Sequence, residues 1–407
     1  MRLSRRAERV EPFYVMELAK AATQWAAEGG AGQRPMIYLN IGEPDFTAPP
    51  LVQQAAERAI RDGRSQYTPA LGLPALREAI SAWYATRFQA DVDPSRIVVT
   101  AGASAALQLA CLALIDAGDE VLMPDPSYPC NRQFVQAAEG SPVMVPCGPS
   151  QRFQLSAAQV REHWGPRTRG VLLASPSNPT GTSIARDELQ AIASTVRERQ
   201  GLTLIDEIYL GLSHDAAFGQ TALTLPDGLG ETVVSVNSFS KYFNMTGWRL
   251  GWLVLPPALV PAVERLAQNL FICPSTISQH AALACFEPES LAEYERRRAA
   301  FKARRDYFIP ELNRLGLTVP VVPDGAFYAW SEVRTLCERW GIPPESKDDV
   351  LAGGSWPLAF ELMRRCQIAA TPGRDFAQAE PGRYLRFSTA NSMEQLQEAV
   401  ARLEAAC

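Results

Sequence analysis

The chain has 407 residues, of which 47% are hydrophobic and 20% are charged. This composition is typical of globular proteins with a large buried core, and it excludes disordered and fibrous classes. With 39 Lys and Arg residues against 44 Asp and Glu residues, the net charge is −5, which excludes the global basic field of many nucleic-acid-binding proteins.

Two helices are predicted near the start of the chain. In residues 51–62 apolar side chains recur at helical spacing, and Gly63 follows as a stop signal. Residues 74–88 show the same spacing, with Pro74 in the first turn, where proline is well tolerated.

Short apolar strands then alternate with helices. The strands are predicted at residues 97–100, 121–123, 143–145, 171–174, 202–205, 233–236 and 250–255. One helix is predicted from the segment 101–104 to Ile115, and another at 187–199. Nearly continuous apolar strands in alternation with helices predict a mainly parallel α/β sheet that is covered on both faces.

The last third of the chain has a different pattern. Residues 257–308 are predicted to be mostly helical. Beyond residue 310 the order is less regular and predicts a smaller α+β domain, with elements at 317–322, 326–330, 357–366, 368–370 and 384–387. Residues 341–356 contain prolines, glycines and several charges, which is typical of a mobile loop.

The cysteine, histidine and hydropathy patterns exclude further classes. The eight cysteines form no CxxC pair and predict the reduced thiols of a cytoplasmic protein. His163, His214 and His280 form no HExxH or HxxxH motif, so neither a zinc site nor a Ser-His-Asp triad is expected. No signal peptide is predicted, and the longest apolar stretch, 250–263, is too short and too rich in proline to span a membrane.

The segment from Ser238 to Arg249 carries the most chemical information. Lys241 lies shortly after a predicted strand, and Ser240 precedes it directly. Taken alone, the segment is explained equally well by a surface turn with an ordinary lysine and by a site in which the lysine takes part in chemistry. Other polar segments of the chain favour the second interpretation.

Three polar segments follow other strands of the same predicted sheet. They are residues 175–181, 206–209 and 102–104, the last of which opens a helix. Because the carboxyl ends of parallel strands lie at one edge of a sheet, we expect these segments to converge there. Together they offer an amine nucleophile, a carboxylate, amide and phenol donors, and an anion-binding helix start.

That set of groups matches the requirements of pyridoxal phosphate. Its aldehyde needs a lysine, and its pyridine nitrogen needs a carboxylate partner that keeps it protonated. Its phosphate needs backbone N–H groups at a helix start, together with hydroxyls and an arginine. Its ring needs an aromatic or apolar neighbour.

With these residues in view, the chain resembles the fold type I, pyridoxal-phosphate-dependent aminotransferases of class I/II. The likeness extends from about residue 37 to residue 388. It rests on motifs that match the family in order and in approximate spacing: NIGEPDF at 40–46, QYTPALG at 66–72 with LR at 76–77, SNPTG at 177–181, DEIY at 206–209, SFSK at 238–241, GWRLGW at 247–252 and RFS at 386–388.

The resemblance implies a role for each matching residue at the cofactor. Lys241 would form a Schiff base with the aldehyde and later move the proton, and Asp206 would pair with the pyridinium nitrogen. Asn178 and Tyr209 would hydrogen-bond the phenolic oxygen, and Tyr128 would stack on the ring. The phosphate would be held by a larger set: Ala103, Ser104, Ser238, Ser240, Arg249 and, from the neighbouring subunit, Tyr67.

The resemblance also implies how a substrate binds. Arg386 would hold the α-carboxylate, helped by Asn178 and the backbone N–H of Gly42. Arg383 lies near the same predicted strand, but Arg386 directly precedes Phe387-Ser388 as in the family. An apolar or aromatic substrate side chain is favoured if the pocket is bordered by four further residues: Phe13, Tyr14, Phe271 and Cys273.

A homodimer with shared active sites is expected, because the family builds each site from two chains. The resemblance implies an N-terminal arm and part of a small domain at 1–50, a large cofactor-binding domain at 51–290, and the C-terminal small domain at 291–407. Amino acids and 2-oxo acids are the expected partners, whereas nucleic acid and membrane are not.

Transamination is therefore the leading functional hypothesis: a ping-pong exchange of an amino group between an L-amino acid and a 2-oxo acid through a Schiff base at Lys241. One alternative is a pyridoxal-phosphate-dependent carbon–sulfur β-lyase, which shares the fold and nearly all these residues. Another is a non-catalytic cofactor-sensing module fused to a DNA-binding domain, for which the roughly 40 residues before the likeness leave little room.

Overall fold

The computed structural model describes residues 2–9, 14–28, 34–345 and 351–407. The strands in these ranges are β1 (Ile37–Tyr38), β2 (Ile97–Thr100), β3 (Glu120–Asp125), β4 (Ser141–Pro146), β5 (Thr168–Ala174), β6 (Leu202–Asp206), β7 (Val233–Ser238), β8 (Gly251–Val254), β9 (Tyr328–Glu332), β10 (Ile368–Ala369), β11 (Thr371–Pro372) and β12 (Tyr384–Ser388).

The α-helices in the same ranges are α1 (Arg5–Arg9), α2 (Tyr14–Glu28), α3 (Pro50–Arg61), α4 (Pro74–Phe88), α5 (Ala103–Leu114), α6 (Pro129–Ala137), α7 (Ala157–His163), α8 (Arg186–Glu198), α9 (Leu229–Thr232), α10 (Val260–Leu270), α11 (Thr276–Leu283), α12 (Pro288–Arg314), α13 (Arg334–Trp340), α14 (Ser355–Cys366) and α15 (Met393–Ala406). None of these helices is both long and apolar enough to cross a membrane.

A seven-stranded sheet, counted over the described residues, forms the centre of the molecule. Its strand order is β2-β8-β7-β6-β5-β3-β4. The pairs from β7 to β4 are parallel, whereas β8 is antiparallel to both of its neighbours. The prediction of a mainly parallel α/β sheet is confirmed, and the reversed direction of β8 was not part of that prediction.

Both faces of this sheet are buried because its strands carry apolar side chains in consecutive positions. In β5, Leu172 packs in a cluster with residues of α5, whereas Val171 and Leu173 pack on the other face with residues of α8. This two-sided covering explains the near-continuous apolar runs. It also leaves the strand ends as the place where polar side chains can gather.

A second, smaller part contains two further sheets, and the prediction of an α+β region is confirmed. Strands β11, β12 and β9 form an antiparallel sheet, and β1 pairs in parallel with β10. Their core includes Leu18 of α2 and residues of α14 and α15. The residues of α2 therefore pack with the end of the chain.

The long helix α12 connects the two cores. Tyr294 and Phe301 pack in the core beside the large sheet. Phe308 and Leu312, farther along the same helix, pack in the core of the smaller part. One continuous helix therefore fixes how the smaller part stands on the large sheet.

Some predicted elements differ from the structure. The segment 317–322 is not a strand, and its only ladder contact among the described residues is a single bridge from Thr318 to Glu332. The expected mobile loop at 341–356 includes residues 346–350, which lie outside the described residues.

Candidate active site

A cavity of about 410 Å³ lies where β5, β6 and β7 end. Ala174, Asp206 and Ser238, the last residues of these strands, all line it. The residues predicted to hold the cofactor and the substrate α-carboxylate all line the cavity, with the exception of Tyr67: Gly42, Ala103, Ser104, Tyr128, Asn178, Asp206, Tyr209, Ser238, Ser240, Lys241, Arg249 and Arg386. The Tyr67 side chain lies elsewhere in this chain and is 82% exposed.

Lys241 presents its amine to the interior of this cavity. Its Nζ donates a hydrogen bond of 2.7 Å to the carbonyl oxygen of Gly42 and lies 5.7 Å from the centre of the Tyr209 ring. Burial lowers the pKa of Lys241 to about 8, and the positive charges of Arg386 and Arg249 act in the same direction, against the carboxylate of Glu43. A large neutral fraction of the amine is therefore present near pH 8.

Asp206 is a buried carboxylate with few partners. Its side chain accepts a hydrogen bond of 3.1 Å from the backbone N–H of Ile208. No ion pair is formed by Asp206 with any described residue. Burial raises the pKa of Asp206 to about 7, the neighbouring charge of Glu207 adds to this rise, and Lys241 opposes it. The carboxylate is therefore suited to a cationic group that enters the cavity.

The start of α5 and Arg249 form an anion-binding corner. Gly102 precedes α5 with φ of 83°, and no side chain caps the helix, so its first N–H groups are available. A Cβ atom at Gly102 would lie 2.6 Å from Nη2 of Arg249, which shows how closely the guanidinium approaches the backbone. The Ser238 hydroxyl is beside them and accepts from the Ser240 N–H at 3.0 Å.

Arg386 lines the same cavity as the start of α5 and Arg249, and it is held in a fixed orientation. Its Nη1 donates to Asn178 Oδ1 at 2.8 Å, and its Nη2 donates to the carbonyl oxygen of Asn40 at 2.6 Å. Its guanidinium carbon lies 4.5 Å from the centre of the Tyr328 ring and 4.7 Å from that of Phe376.

Arg383, the competing candidate for the carboxylate, lies in different surroundings. It forms ion pairs with Glu332 at 3.1 Å and with Glu380 at 2.8 Å, and it does not line the cavity. Its positive charge is already balanced by these two carboxylates. Between the two arginines, Arg386 is the one that the structure places beside Lys241 and Asp206.

Several cavity residues were not predicted from the sequence. Tyr328 comes from β9 of the smaller part, and its hydroxyl lies 2.6 Å from that of Tyr209. Met16 and Ala19 come from α2, and Ile41 precedes Gly42. The strand containing Tyr328 was predicted, but no sequence signal indicated which residue of the large sheet it would meet.

The residues predicted to border a substrate side-chain pocket lie elsewhere in this chain. Phe271 and Cys273 line a separate cavity of only about 10 Å³. Tyr14 packs against Trp356 with 6.0 Å between ring centres, and Arg374 lies 3.7 Å from its ring centre. Phe13 lies outside the described residues. Within the chain, Met16, Ala19 and Ile41 occupy the apolar wall instead.

A mainly parallel α/β sheet with a buried lysine, a buried carboxylate and an anion-binding helix start at its strand ends defines the fold type I transferases. The family model described as "Aminotransferase class I and II" matches residues 34–403. The chain therefore belongs to the class I and II aminotransferases, a transferase family that depends on pyridoxal phosphate.

The chain is similar to relatives along its whole length. It is 39% identical over 394 residues to valine–pyruvate aminotransferase from Mycobacterium tuberculosis, covering 97% of this chain and 96% of that protein. It is 33% identical to an aspartate aminotransferase from Rhizobium meliloti, covering 99% and 96%. A crystal structure of an aminotransferase from Mycobacterium tuberculosis superimposes with a TM-score of 0.90 at 37% identity, covering 100% and 99%.

The residues of the cavity fit the cofactor of this family. Asp206 offers a buried negative charge for a pyridinium nitrogen. The uncapped start of α5, with Arg249 beside it, offers N–H groups and a positive charge for a phosphate dianion. Lys241 offers an amine of lowered pKa within the same cavity.

The raised pKa of Asp206 predicts how the stability of the cofactor-free protein depends on pH. Between the ordinary value of 3.8 and about 7, the folded state binds more protons than the unfolded state. The free energy of unfolding therefore falls as pH rises from about 4 to about 7. Asp206→Asn removes this titration, so the melting temperature of the variant minus that of the wild type is expected to increase from pH 4 to pH 7.

The control for this measurement is Asp91→Asn, which alters an exposed carboxylate. Its melting-temperature difference from the wild type is expected to stay nearly constant over the same window. Parallel curves for Asp206→Asn and the wild type would contradict the assigned cause.

Proposed function

We propose that the protein exchanges an amino group between an L-amino acid and a 2-oxo acid by a ping-pong mechanism, with Lys241 holding pyridoxal phosphate through a Schiff base. The observation that carries this proposal is that Lys241, Asp206 and Arg386 line one cavity of about 410 Å³. An amine, a buried carboxylate and a carboxylate-binding guanidinium are the three groups that this chemistry requires of the protein.

The other cavity residues would hold the cofactor. Asp206 would pair with its ring nitrogen, Asn178 and Tyr209 would donate to its phenolic oxygen, and Tyr128 would stack on its ring. The phosphate would be bound by N–H groups at the start of α5 and by five side chains: Ser104, Ser238, Ser240, Arg249 and Tyr67. When bound, pyridoxal phosphate supplies an aldehyde for covalent attachment and an electron-accepting ring.

The chain itself supplies orientation and proton transfer. Arg386 would bind the α-carboxylate in a bidentate pair and so fix which bond of the α-carbon faces Lys241. Once the amino group of the substrate has displaced it from the cofactor, the freed Nζ of Lys241 would take the proton from the α-carbon, for which its lowered pKa of about 8 is suited. The apolar cavity wall would exclude water during this transfer.

The first prediction concerns Lys241. The chain contains four lysines, Lys20, Lys241, Lys302 and Lys347, so the attachment site can be mapped by mass. Borohydride reduction of the cofactor-loaded protein is expected to label the peptide of Lys241 alone. Lys241→Ala is expected to lower turnover by about 10⁴-fold or more, because nucleophile and proton carrier are lost together.

The matched control is Lys302→Ala, which removes an amine that pairs with Asp306 on the surface. This variant is expected to keep wild-type turnover and cofactor absorbance. Label on another lysine, or unchanged turnover in Lys241→Ala, would overturn the assignment. Release of pyruvate and ammonia from a cysteine conjugate without any 2-oxo acid would instead favour the β-lyase alternative.

We further propose that the substrates carry an uncharged, mainly apolar side chain. The cationic side chains that line the cavity among the described residues are Lys241, Arg249 and Arg386, and each already has a proposed partner. Met16, Ala19 and Ile41 form part of the apolar wall, together with Leu107, Ala174, Pro176 and Ile208. One relative is named for valine and pyruvate and another for aspartate, so the names alone do not choose between these classes.

The second prediction follows from this wall. In half-reactions followed by cofactor absorbance, alanine, valine and leucine are expected to react with kcat/KM at least about 100-fold above that of aspartate, because the side-chain carboxylate of aspartate would lose water without a partner. Met16→Arg is expected to narrow this ratio by adding a cation. Equal values for valine and aspartate in the wild type would contradict the proposal.

We also propose a homodimer with shared sites, a large domain at 51–290 completed by a small domain from the remaining segments, and a cytoplasmic location. The 82% exposure of Tyr67 in the single chain supports the shared site. The two separate apolar cores support the domain division, although α12 contributes to both. The eight free cysteines support a reducing compartment.

The third prediction tests the shared site by subunit mixing. Tyr67→Ala and Lys241→Ala are each expected to be poorly active at limiting cofactor. After the two variants exchange subunits, a mixed dimer contains one site with both residues intact. Statistical exchange is therefore expected to restore about a quarter of wild-type activity. No recovery in a mixture that sedimentation shows to contain mixed dimers would exclude a contribution of Tyr67 across subunits.

A further inference from the structure

Tyr328 connects the two parts of the molecule inside the cavity. It is the first residue of β9, and it is 2% exposed. Its hydroxyl oxygen lies 2.6 Å from that of Tyr209, and the two rings meet edge to face at an angle of 80°. Tyr209 is the sole hydrogen-bond partner that the described residues provide to the Tyr328 hydroxyl.

The position of this hydroxyl is fixed by close packing. A Cβ atom at Gly42 would lie 2.1 Å from the Tyr328 oxygen, so backbone fills the space beside the phenol. The carbonyl of the same Gly42 accepts the hydrogen bond from Lys241 Nζ at 2.7 Å. Tyr328 is therefore wedged between Tyr209 and the backbone that contacts the lysine.

The ring of Tyr328 has a second contact. The guanidinium carbon of Arg386 lies 4.5 Å from its centre. This contact follows from the pairing of β9 with β12, in which Tyr328 faces Ser388 and Arg386 faces Trp330. A cation over an aromatic face is attracted to it, and the attraction increases when water is excluded.

We propose that Tyr328 is a positioning residue that acts through Tyr209 and Arg386: its hydroxyl donates to Tyr209, which leaves the hydrogen of Tyr209 free to point into the cavity, and its ring supports the guanidinium of Arg386. The inference rests on the proposed function, which assigns the cofactor's phenolic oxygen to Tyr209. Two phenols that share one hydrogen bond have one hydrogen left over, and the group bound in the cavity offers an acceptor for it. Donation to Tyr209 also strengthens Tyr209 as a donor, since hydrogen bonds in a chain polarise one another.

The test uses the cofactor-loaded enzyme and a pH titration of its absorbance. A donor to the cofactor's phenolic oxygen stabilises the negative charge there and weakens the hold on the nearby imine proton. Tyr328→Phe is therefore expected to raise the pH midpoint of the colour change by about half to one unit, the size of one hydrogen bond. Tyr209→Phe is expected to raise it at least as far.

A double-variant cycle separates positioning from a general structural effect. If Tyr328 acts through Tyr209, adding Tyr328→Phe to Tyr209→Phe is expected to move the midpoint little further. The control is Tyr384→Phe, because the Tyr384 hydroxyl is buried on neighbouring β12 without a partner among the described residues. This control is expected to leave the midpoint unchanged.

The ring is tested by the kinetics of the amino acid substrate. Tyr328→Phe keeps the ring under Arg386, so KM is expected to stay close to the wild-type value. Tyr328→Leu removes the ring and is expected to raise KM by about threefold or more. Melting temperatures of the cofactor-loaded variants show whether either substitution unfolds the protein.

The inference is overturned if Tyr328→Phe leaves the midpoint unchanged, or if it moves the midpoint equally with and without the Tyr209 hydroxyl. Equal KM values for Tyr328→Phe and Tyr328→Leu would show that the ring of Tyr328 does not support the guanidinium of Arg386. A different result would contradict the proposed function itself: wild-type protein that stays colourless with pyridoxal phosphate, or that carries it on another lysine.

Discussion

Asp206 and Glu207 are adjacent buried carboxylates with very different surroundings. Glu207 accepts from the Thr221 hydroxyl at 2.8 Å, the Ser235 hydroxyl at 2.8 Å and the Ala222 N–H at 2.7 Å. Asp206 accepts only from the Ile208 N–H among the described residues, at 3.1 Å. Burial raises the pKa of both groups, but only Glu207 is compensated by three donors. Asp206 is the group whose charge still needs a positive partner.

The need of Asp206 for a positive partner bears on the other charged groups of the cavity. Lys241 is the cation whose charge acts on Asp206, yet burial and two guanidinium groups lower its pKa to about 8. The amine of Lys241 donates its hydrogen bond to the carbonyl oxygen of Gly42 and forms no direct ion pair with Asp206, so it balances that carboxylate only in part. The cavity therefore retains an incompletely compensated carboxylate, with Arg249 at the start of α5 and Arg386 beside Asn178. A ligand with one cationic nitrogen and an anionic group has matching charges.

The large-sheet half of this site could be predicted from the sequence. Asp206 and Ser238 lie at strand ends and Gly102 precedes a helix, so a local pattern of strand, polar residues and helix indicates their positions. The reversed direction of β8 could not be derived, because a four-residue apolar strand has no mark of its direction. Tyr328 and Met16 were missed because their position depends on how a second core docks on the first. Within this chain, Phe271 and Cys273 line a separate small cavity of the large part, so the substrate pocket expected around them is not formed by this chain alone.

The position of Arg386 depends both on the sequence motif that contains it and on contacts that form only in the folded chain. The sequence motif supplies the guanidinium, but its direction is set by Asn40 and Asn178, which accept its hydrogen bonds. Its guanidinium carbon also lies over the rings of Tyr328 and Phe376. Because these contacts come from the chain itself, they restrict the rotation of the guanidinium, and little orientational entropy would remain to be lost when a carboxylate binds. The supporting residues come from separate segments, most of them outside the motif that carries the arginine. Under the proposed function, this oriented guanidinium would hold the α-carboxylate that all the substrates share, whereas Met16 and Ala19 of α2 would lie towards the side chain that distinguishes them.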